Sequence, residues 1–247
     1  MSKYIKILFE DNHFIALNKS SGVLSIPDRF EHKKPNLKNE LLKSYDEIFV
    51  VHRLDLETSG VILFAKTAEA HILFSDLLST QQIDKTYLAL SFKPTQESGE
   101  INAPIAESLK NKGRYKVHNR GKDSLTKYET LRTWQNYTLL SLKLITGRTH
   151  QIRVHLKYIG APLIADEKYG RAPAFYLSQL KKINIHREQE ERPLINRSSL
   201  HAYRLEFQHS ITKEKIKIEA PLPKDMRAVI NQLEKRFGNT ENEPFRF

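Results

Sequence analysis

Short runs of β-branched and aromatic residues alternate with polar turns in the first quarter of the chain. Two of them, at 5–10 and 14–19, are separated by a short polar turn and predict a β-hairpin. Two more, at 48–51 and 61–65, enclose the polar segment 52–60. The pattern therefore predicts two buried strands joined by a polar connection.

Apolar residues also recur at helical spacing in four segments. The first predicted helix covers about 36–45, with Leu37, Leu41 and Leu42 on one side. The other three helices are predicted at 68–78, 150–158 and 226–237. Four further strands are predicted at 85–90, 137–144, 202–207 and 215–219. Together these elements predict a core that mixes α-helix and β-strand.

The chain of 247 residues contains neither an internal repeat nor a low-complexity linker. We therefore expect a single catalytic domain over residues 1–237 and a flexible polar tail over 238–247. The longest apolar stretches are far shorter than the roughly 20 residues that cross a bilayer, and the N-terminus lacks the apolar core of a secretory signal. Because there is no cysteine, disulfides and thiolate sites are excluded, and we expect a cytoplasmic protein.

Positive charge is in excess over the whole chain and is concentrated in one segment. Forty Lys and Arg against 29 Asp and Glu give a formal net charge of +11, which favours a polyanionic partner such as nucleic acid. The segment 108–133 carries the turn signals Gly113 and Gly121 and the aromatic Tyr115, and it predicts a basic hairpin that contacts RNA. The alternative is a solvated charged loop. The cations assigned to RNA binding in this segment are Lys110, Lys112, Arg114, Lys116 and Arg120.

The polar connection 52–60 presents one carboxylate, Asp55, between two predicted strands. His52 and Arg53 precede it, and two hydroxyl residues follow it. A rigid scaffold can hold such a carboxylate in place for chemistry. Alternatively, the polar side chains of this segment only satisfy the backbone groups of a turn.

A second polar group, at 146–156, opens the third predicted helix. Helical spacing places His150, Arg153 and Lys157 on one stripe. A buried arginine on that stripe would pair with Asp55, keep it ionised and orient it. The alternative is an amphipathic helix with a solvated basic face opposite an apolar one.

Several common site types have no sequence support. His150 and His155 are five residues apart and fall on different helix faces, and no His-Glu-x-x-His motif occurs, so we expect no metal. The glycine-rich phosphate-binding motifs are missing from the sequence, so we expect no nucleotide cofactor. Ser59 lacks the Gly-x-Ser-x-Gly frame of serine hydrolases.

Three motifs follow one another along the chain: His52-Arg53-Leu54-Asp55 with 58–60, then Lys85-Thr86-Tyr87, then the run 147–155. As a set they closely resemble the RluA-type pseudouridine synthase family. The resemblance extends over nearly the whole chain, because Asn18-Lys19 near the start and Leu200-His201-Ala202 near the end also fit. It implies an α+β fold, with a mixed, mainly antiparallel β-sheet, flanking helices and a central RNA-binding cleft. It also implies isomerisation of uridine to pseudouridine in ribosomal or transfer RNA, without a cofactor.

The resemblance assigns roles to individual residues. Asp55 matches the catalytic nucleophile, and Tyr87 matches a tyrosine that stacks on the target base; on pattern alone, Tyr87 is an ordinary strand aromatic. Arg153 matches the arginine that forms a salt bridge with the aspartate, and Arg148 is the second choice for that role. Arg148, His52 and His150 are also expected to bind RNA, as is Arg53, which is a candidate for the wedge that replaces a flipped base.

The sequence departs from the family pattern at two turns. Ser20 stands where proline usually follows Asn-Lys, and Ala165 stands where glycine commonly precedes Asp166, so the local structure of both turns is in question. Few residues precede the first predicted strand, and we therefore expect no N-terminal S4-like domain. We also expect a monomer, since no coiled coil or dominant apolar face is evident.

Two other functions stay open on the residues alone. In the first, the protein is an RNA-binding module in which Asp55 is inert. In the second, it is a hydrolase that uses Asp55 and Glu57 as paired carboxylates, although two acids two positions apart on a short loop need not point in the same direction. The sequence does not identify the target uridine.

Overall fold

The structure is a computed structural model that describes residues 4–28, 31, 33–93, 95–181, 190–209 and 211–238. The chain forms two compact units, Met1–Tyr87 with His201–Pro221, and Leu88–Leu200 with Leu222–Phe247. The expected single domain over residues 1–237 stays a prediction. Most of the expected tail, residues 239–247, lies outside the described residues.

The first unit is built from mainly antiparallel strands and, among its described residues, two helices. Its core is formed by large apolar side chains such as Phe14, Leu63, Phe74 and Phe207, and the rings of Phe14, Phe74 and Phe207 lie 5.2 to 5.8 Å apart, edge to face or tilted. The elements are β1 (Ile7–Glu10), β2 (Phe14–Lys19), α1 (Leu37–Leu41), β3 (Phe49–Val50), β4 (Ser59–Ala65), α2 (Ala68–Ser79), the start of β5 (Asp84–Phe92), most of β11 (Leu200–Gln208) and β12 (Lys215–Glu219).

Strand β4 is fully buried, with a different partner on each edge. One edge pairs antiparallel with β2. The other pairs antiparallel with β3 at Phe64 and Ala65, and parallel with β11 at Ser59 and Gly60. Gly60 has a φ of +114°, and a Cβ atom there would overlap the carbonyl oxygen of Ala202. Glycine at this position therefore allows β11 to approach the start of β4.

The second unit contains a longer antiparallel sheet, a small hairpin and two helices. Strand β9 pairs antiparallel with both β10 and β6, and β7 and β8 form a separate two-stranded sheet. The elements are the end of β5, β6 (Ser98–Asn102), β7 (Ile105–Glu107), β8 (Tyr115–Val117), β9 (Leu125–Trp134), β10 (Tyr137–Leu144), α3 (Gln151–Tyr158), a 3-10 turn (Leu177–Gln179) and α4 (Lys224–Phe237).

Most elements predicted from the hydrophobic pattern are confirmed, including the first and last hairpins, and the mixed, mainly antiparallel sheet with few helices is confirmed as well. The first helix was predicted too long. It ends at Leu41, and turns follow in which Ser44 N and Tyr45 N both donate to the Leu41 carbonyl. Leu42 was expected on the buried side with Leu37 and Leu41, but its side chain is 42% exposed.

Candidate active site

Asp55 lies in the first unit, on the connection between β3 and β4. The Ser25 side chain holds the backbone directly before it. The Leu54 N–H donates to Ser25 Oγ at 3.1 Å, and the Ser25 hydroxyl donates to the Leu54 carbonyl oxygen at 3.0 Å. Both residues are buried, so this pair of hydrogen bonds satisfies polar backbone groups that water does not reach.

A buried lysine holds the backbone directly after Asp55. Lys19 is fully buried, and its Nζ donates to the carbonyl oxygens of Leu56 at 3.0 Å and Ser20 at 3.1 Å. The Leu56 carbonyl also accepts from Gly22 N at 2.9 Å. The polypeptide is thus fixed on both sides of the carboxylate by groups from the segment 19–25.

Tyr87 lies on β5, with its side chain buried. Burial raises the pKa of the Tyr87 phenol strongly, and the negative charge of Asp55 raises it further. The phenol is therefore protonated and neutral at any physiological pH, and it lies within the electrostatic reach of the Asp55 carboxylate. Both residues belong to the first unit, and their roles in catalysis stay a prediction.

His52 supports the backbone of β4. Its Nε2 accepts a hydrogen bond from Leu63 N at 3.0 Å, next to the point where β3 stops pairing with β4. Burial lowers the pKa of His52 to about 3, and the nearby Lys85 ammonium lowers it as well. The ring is therefore neutral at physiological pH, and any contact of His52 with RNA is made without a positive charge. The neighbouring Arg53 is exposed.

His201, from the motif near the end of the chain, connects the start of β4 with β12. Its Nε2 lies 3.1 Å from the Ala220 carbonyl oxygen and its Nδ1 lies 2.9 Å from Ser59 Oγ. A carbonyl only accepts, so Nε2 carries the proton, and in the neutral ring Nδ1 accepts from the Ser59 hydroxyl. His201 is fully buried. The sequence motif located this residue but did not indicate what it does.

Arg153 lies on α3 in the second unit and is buried. Its Nε and Nη2 donate to the two carboxylate oxygens of Asp166, at 2.7 and 2.8 Å. Lys168 N and Tyr169 N donate to the same carboxylate. Burial raises the pKa of Asp166, but Arg153 and these backbone donors outweigh it and hold the pKa below its usual value. The alternative of a solvated basic face on this helix is therefore wrong at Arg153, whose side chain is buried.

The predicted pairing of Arg153 with Asp55 stays a prediction, because the two residues belong to different units. Asp166 was noticed in the sequence only as part of a turn. Its partner Arg153 lies 13 residues away, and no short-range pattern indicates such a pair. A buried arginine nevertheless requires an acidic partner, and Asp166 is the acid nearest to Arg153 in the sequence.

Tyr169 connects the start of α3 with the hairpin β7–β8. Its hydroxyl accepts from Tyr115 N at 2.9 Å and lies 2.8 Å from His150 Nδ1. The Arg153 guanidinium stands 5.1 Å from the centre of the Tyr169 ring. His150, with a φ of +56°, directly precedes the helix. Its ring is therefore held at the helix start by the hydroxyl of Tyr169.

A chain of buried polar groups holds the segment before α3 against β9. Gln151 Oε1 accepts from the Thr146 hydroxyl and from Arg148 N, and Gln151 Nε2 donates to Thr126 Oγ1. Burial lowers the pKa of His155, and its Nε2 lies 2.9 Å from the Ala103 carbonyl. The neutral ring thus accepts from the Thr126 hydroxyl at Nδ1. Sequence reasoning missed this chain, although Gln151 and His155 are part of the motif.

Six of the cations assigned to RNA binding are exposed on the second unit, whereas Arg53 belongs to the first. The side chain of Arg148 is exposed, and its Nε donates to the Asp123 carbonyl at 3.0 Å. The basic segment 108–133 does not form one hairpin: its first part closes the hairpin β7–β8 through the loop 108–114, and its last part is β9, a strand of the larger sheet. The exposed cations of the β7–β8 hairpin are Lys110, Lys112, Arg114 and Lys116, and the exposed Arg120 follows β8.

In the part of the chain that the structure describes, no three His, Asp or Glu side chains come together in a way that would hold a metal ion. No helix among the described ranges is long and apolar enough to span a membrane.

The chain matches known proteins over most of its length. A family model for RNA pseudouridylate synthase matches residues 13–158. The ribosomal large subunit pseudouridine synthase D of Nitrosomonas europaea is 34% identical over 235 residues, which cover 93% of this chain and 65% of that protein. The dual-specificity RNA pseudouridine synthase RluA of Vibrio vulnificus is 33% identical over 213 residues, which cover 83% of this chain and 78% of that one.

The fold agrees with these matches. The solved structure of human RNA pseudouridylate synthase domain containing 4 superposes with a TM-score of 0.71 at 24% identity, over 93% of each chain. The predicted resemblance and fold class are therefore confirmed. The chain belongs to the RluA-type RNA pseudouridylate synthase family, a family of RNA-modifying isomerases.

Proposed function

We propose that this protein converts specific uridines in structured RNA to pseudouridine, with Asp55 as the nucleophile on the target nucleotide. In the net reaction the bond from N1 of uracil to the sugar breaks, and a bond from C5 to the same sugar carbon forms. The C5 proton leaves to solvent and N1 gains a proton, so no cofactor or oxidant is needed. The observation that carries the proposal is the loop around Asp55, fixed on both sides by Ser25 and Lys19 and close to Tyr87.

A nucleophilic carboxylate must be ionised and aimed at its target. The family resemblance gives Arg153 as the cation that pairs with Asp55. Arg153 suits that role because Asp166 and the Tyr169 ring hold its guanidinium in one orientation, and a guanidinium next to a carboxylate favours the ionised form. Arg148 is the second choice, but it is exposed and is bonded to the Asp123 carbonyl.

A uridine stacked in RNA is inaccessible, so the enzyme must flip it out. Tyr87 would form the platform on which the flipped base stacks, a contact that is worth roughly 1–3 kcal/mol. The exposed Arg53, two residues before the nucleophile, would fill the gap that the flipped base leaves.

The names of two relatives suggest which RNA to test first. One is named for the large ribosomal subunit and another for dual specificity. We therefore propose ribosomal RNA as the first substrate class and transfer RNA as the second. The exposed cations of the β7–β8 hairpin, together with Arg148, would bind its phosphates. A monomer acting in the cytoplasm is part of the same proposal.

The test is tritium release from RNA labelled at uridine C5, with separate ribosomal and transfer RNA transcripts. We expect release by the wild-type protein and a loss of at least about 1,000-fold in Asp55→Asn, because the amide is not a nucleophile. Glu57→Gln, on the same loop, is the matched control and should retain activity. Equal losses in both variants would favour a paired-carboxylate mechanism, and binding without release from any RNA would favour the inert binding module.

A further inference from the structure

The loop of the β7–β8 hairpin presents an isolated leucine to solvent. The side chain of Leu109 has a relative exposure of 102%, the highest among the exposed large apolar residues of the described chain. Lys110 follows it directly, and Lys112 lies in the same loop. Single exposed apolar residues are common, so exposure alone does not indicate a function. The structure of the loop gives the second observation.

The loop 108–114 is closed and ordered by its own hydrogen bonds. Ser108 N donates to the Arg114 carbonyl at 2.7 Å, and Arg114 N donates to the Asn111 carbonyl at 3.0 Å. Gly113, with a φ of +76°, donates its N–H to Glu107 Oε1 at 2.8 Å. The nearest acidic side chain is thus bonded within the loop. These contacts keep Leu109 in solvent in a defined position, although the side chain gains no packing in return.

The base of the hairpin is anchored to the second unit. Tyr115 N donates to the Tyr169 hydroxyl, and Arg114 Nη1 donates to the Lys168 carbonyl at 3.0 Å. The side chains of Tyr115 and Val117 pack against a small apolar cluster that includes Tyr169. An anchored base and an ordered tip make the hairpin a stiff projection, which is what insertion into another molecule requires.

We propose that Leu109 is an apolar wedge that inserts into an unstacked step of the substrate RNA, while the neighbouring cations hold the flanking phosphates. This inference rests on the proposed function for its choice of partner. Positive charge around an apolar tip favours RNA, since phosphates surround any gap between bases. Proteins that bend DNA insert Leu, Ile or Met side chains between base steps and must unstack those steps at a cost in free energy. An internal loop already contains unstacked steps, so the hairpin would favour RNA interrupted by an internal loop over a regular duplex.

Binding is measured with the Asp55→Asn variant as background, so that turnover does not alter the probe. The two probes are a blunt RNA duplex and the same duplex interrupted by an internal loop that carries 2-aminopurine. Leu109→Ala should weaken binding to the looped RNA by about 3- to 30-fold, reduce the rise in 2-aminopurine fluorescence, and leave duplex binding within about two-fold. Leu109→Met should bind like the parent protein.

Two controls separate a wedge from other roles. Lys110→Ala should weaken binding to both probes and reduce the slope of log affinity against log salt by about 0.7 to 0.9, whereas Leu109→Ala should leave that slope unchanged. Ile72→Ala removes another exposed apolar side chain, on α2, and should change nothing. Because Leu109 is fully exposed, its variants should unfold at the same temperature as the parent.

Equal binding of Leu109→Ala and the parent protein to the looped RNA would overturn the proposal, as would an equal loss on both probes. The proposed function is judged separately by tritium release. If the protein releases tritium but Leu109→Ala has no effect on binding, the protein is a pseudouridine synthase in which Leu109 is not a wedge. If Leu109→Ala weakens binding to looped RNA but no RNA releases tritium, Leu109 is a wedge in a protein that only binds RNA.

Discussion

The connection that carries Asp55 and the turn that holds Arg153 fix their charged residues in different ways. Around Asp55, the contacts are made to the backbone of its neighbours, Leu54 and Leu56. Around Arg153, the contacts are made to the charged group itself, which is paired with Asp166 at both Nε and Nη2. Asp55 is therefore positioned through the backbone on either side of it, whereas Arg153 is positioned through its own guanidinium group.

The difference has consequences for stability and for catalysis. A backbone support such as Ser25 can be removed without leaving an unpaired charge, so the main effect falls on the position of Asp55. Removal of the Arg153 partner leaves a buried guanidinium without its counter-ion, and the main effect then falls on folding. Variants of the two regions should therefore separate stability from turnover.

The largest effect on stability is expected from Asp166→Asn. The amide keeps the shape and can still accept from Lys168 N and Tyr169 N, but it no longer balances the charge of the buried Arg153. The free energy of unfolding should fall by about 3–5 kcal/mol, as measured by urea denaturation. The exposed neighbour Glu167 provides the control, and Glu167→Gln should stay within about 0.5 kcal/mol of wild type. A loss below about 1 kcal/mol in Asp166→Asn would contradict the importance of this pair.

The same pair predicts an acid limit. Because the pKa of Asp166 is below its ordinary value of 3.8 in the folded protein, its ionised form contributes stability above that value. The contribution is lost as the pH falls through the lower, folded pKa. Urea titrations at successive pH values should show this loss in the wild type and a flatter acid limb in Asp166→Asn.

A smaller effect on stability, but a larger one on turnover, is expected from Ser25→Ala. The change removes both hydrogen bonds to Leu54 and leaves its buried N–H and carbonyl unsatisfied, at about 2 kcal/mol of unfolding free energy. Displacement of Asp55 should lower kcat by about 10- to 100-fold with little change in KM. Ser124→Ala is the matched control, since the buried Ser124 hydroxyl donates to the Lys122 carbonyl and lies away from Asp55 in sequence. A similar fall in kcat in both variants would argue against positioning by Ser25.

The hydrophobic pattern was sufficient for elements whose contacts are short in sequence. The hairpin β1–β2 was predicted because its strands and turn occupy a few consecutive residues, and Asp11 Oδ1 closes that turn by accepting from His13 N and Phe14 N. Helix α2 was predicted because its buried residues Ala70 and Phe74 recur at helical spacing. Helix α1 was overextended, since the pattern does not encode the turns that end it at Leu41.

The groups that support the site could not be predicted in the same way. Ser25 contacts Leu54 across 29 residues and Lys19 contacts Leu56 across 37, so each pair depends on how the strands bring the segments together. Motifs located Asp55 and Tyr87, whose chemistry is tied to residue type. They did not locate Asp166, whose role is to pair with the buried Arg153. The helical pattern alone left open whether Arg153 is buried or solvated.

A further prediction concerns His52, which supports β4 as a neutral acceptor. Its pKa is about 3 in the folded protein and 6.5 as the ordinary value. The unfolded chain therefore binds more protons between these values, and the folded protein loses stability as the pH falls from 6.5 towards 3. From pH 7 to pH 5 the loss at this one residue is about 2 kcal/mol. It should be missing in His52→Gln, whose amide oxygen can accept from Leu63 N.

The measurement is the difference between the two proteins in urea unfolding at pH 7 and pH 5. His155 also has a lowered pKa, but it is present in both proteins and its contribution cancels. Parallel pH profiles for wild type and His52→Gln would show that His52 is not held neutral, and would restore it as a cation that can bind RNA phosphates.

The smallest effect on stability is expected from Arg53→Ala, although it lies on the same loop as Asp55. The side chain is exposed, so the free energy of unfolding should change by less than about 0.5 kcal/mol. If Arg53 fills the gap left by a flipped uridine, its loss matters only where that uridine must be unstacked, a step of a few kcal/mol. Tritium release should then fall by about 10- to 100-fold for a target uridine within a helix and by less than about three-fold for one in a flexible loop. Equal losses on the two substrates would instead identify Arg53 as a general phosphate contact. In that case Arg53 would not replace the flipped uridine, and another residue would have to fill the gap in the RNA.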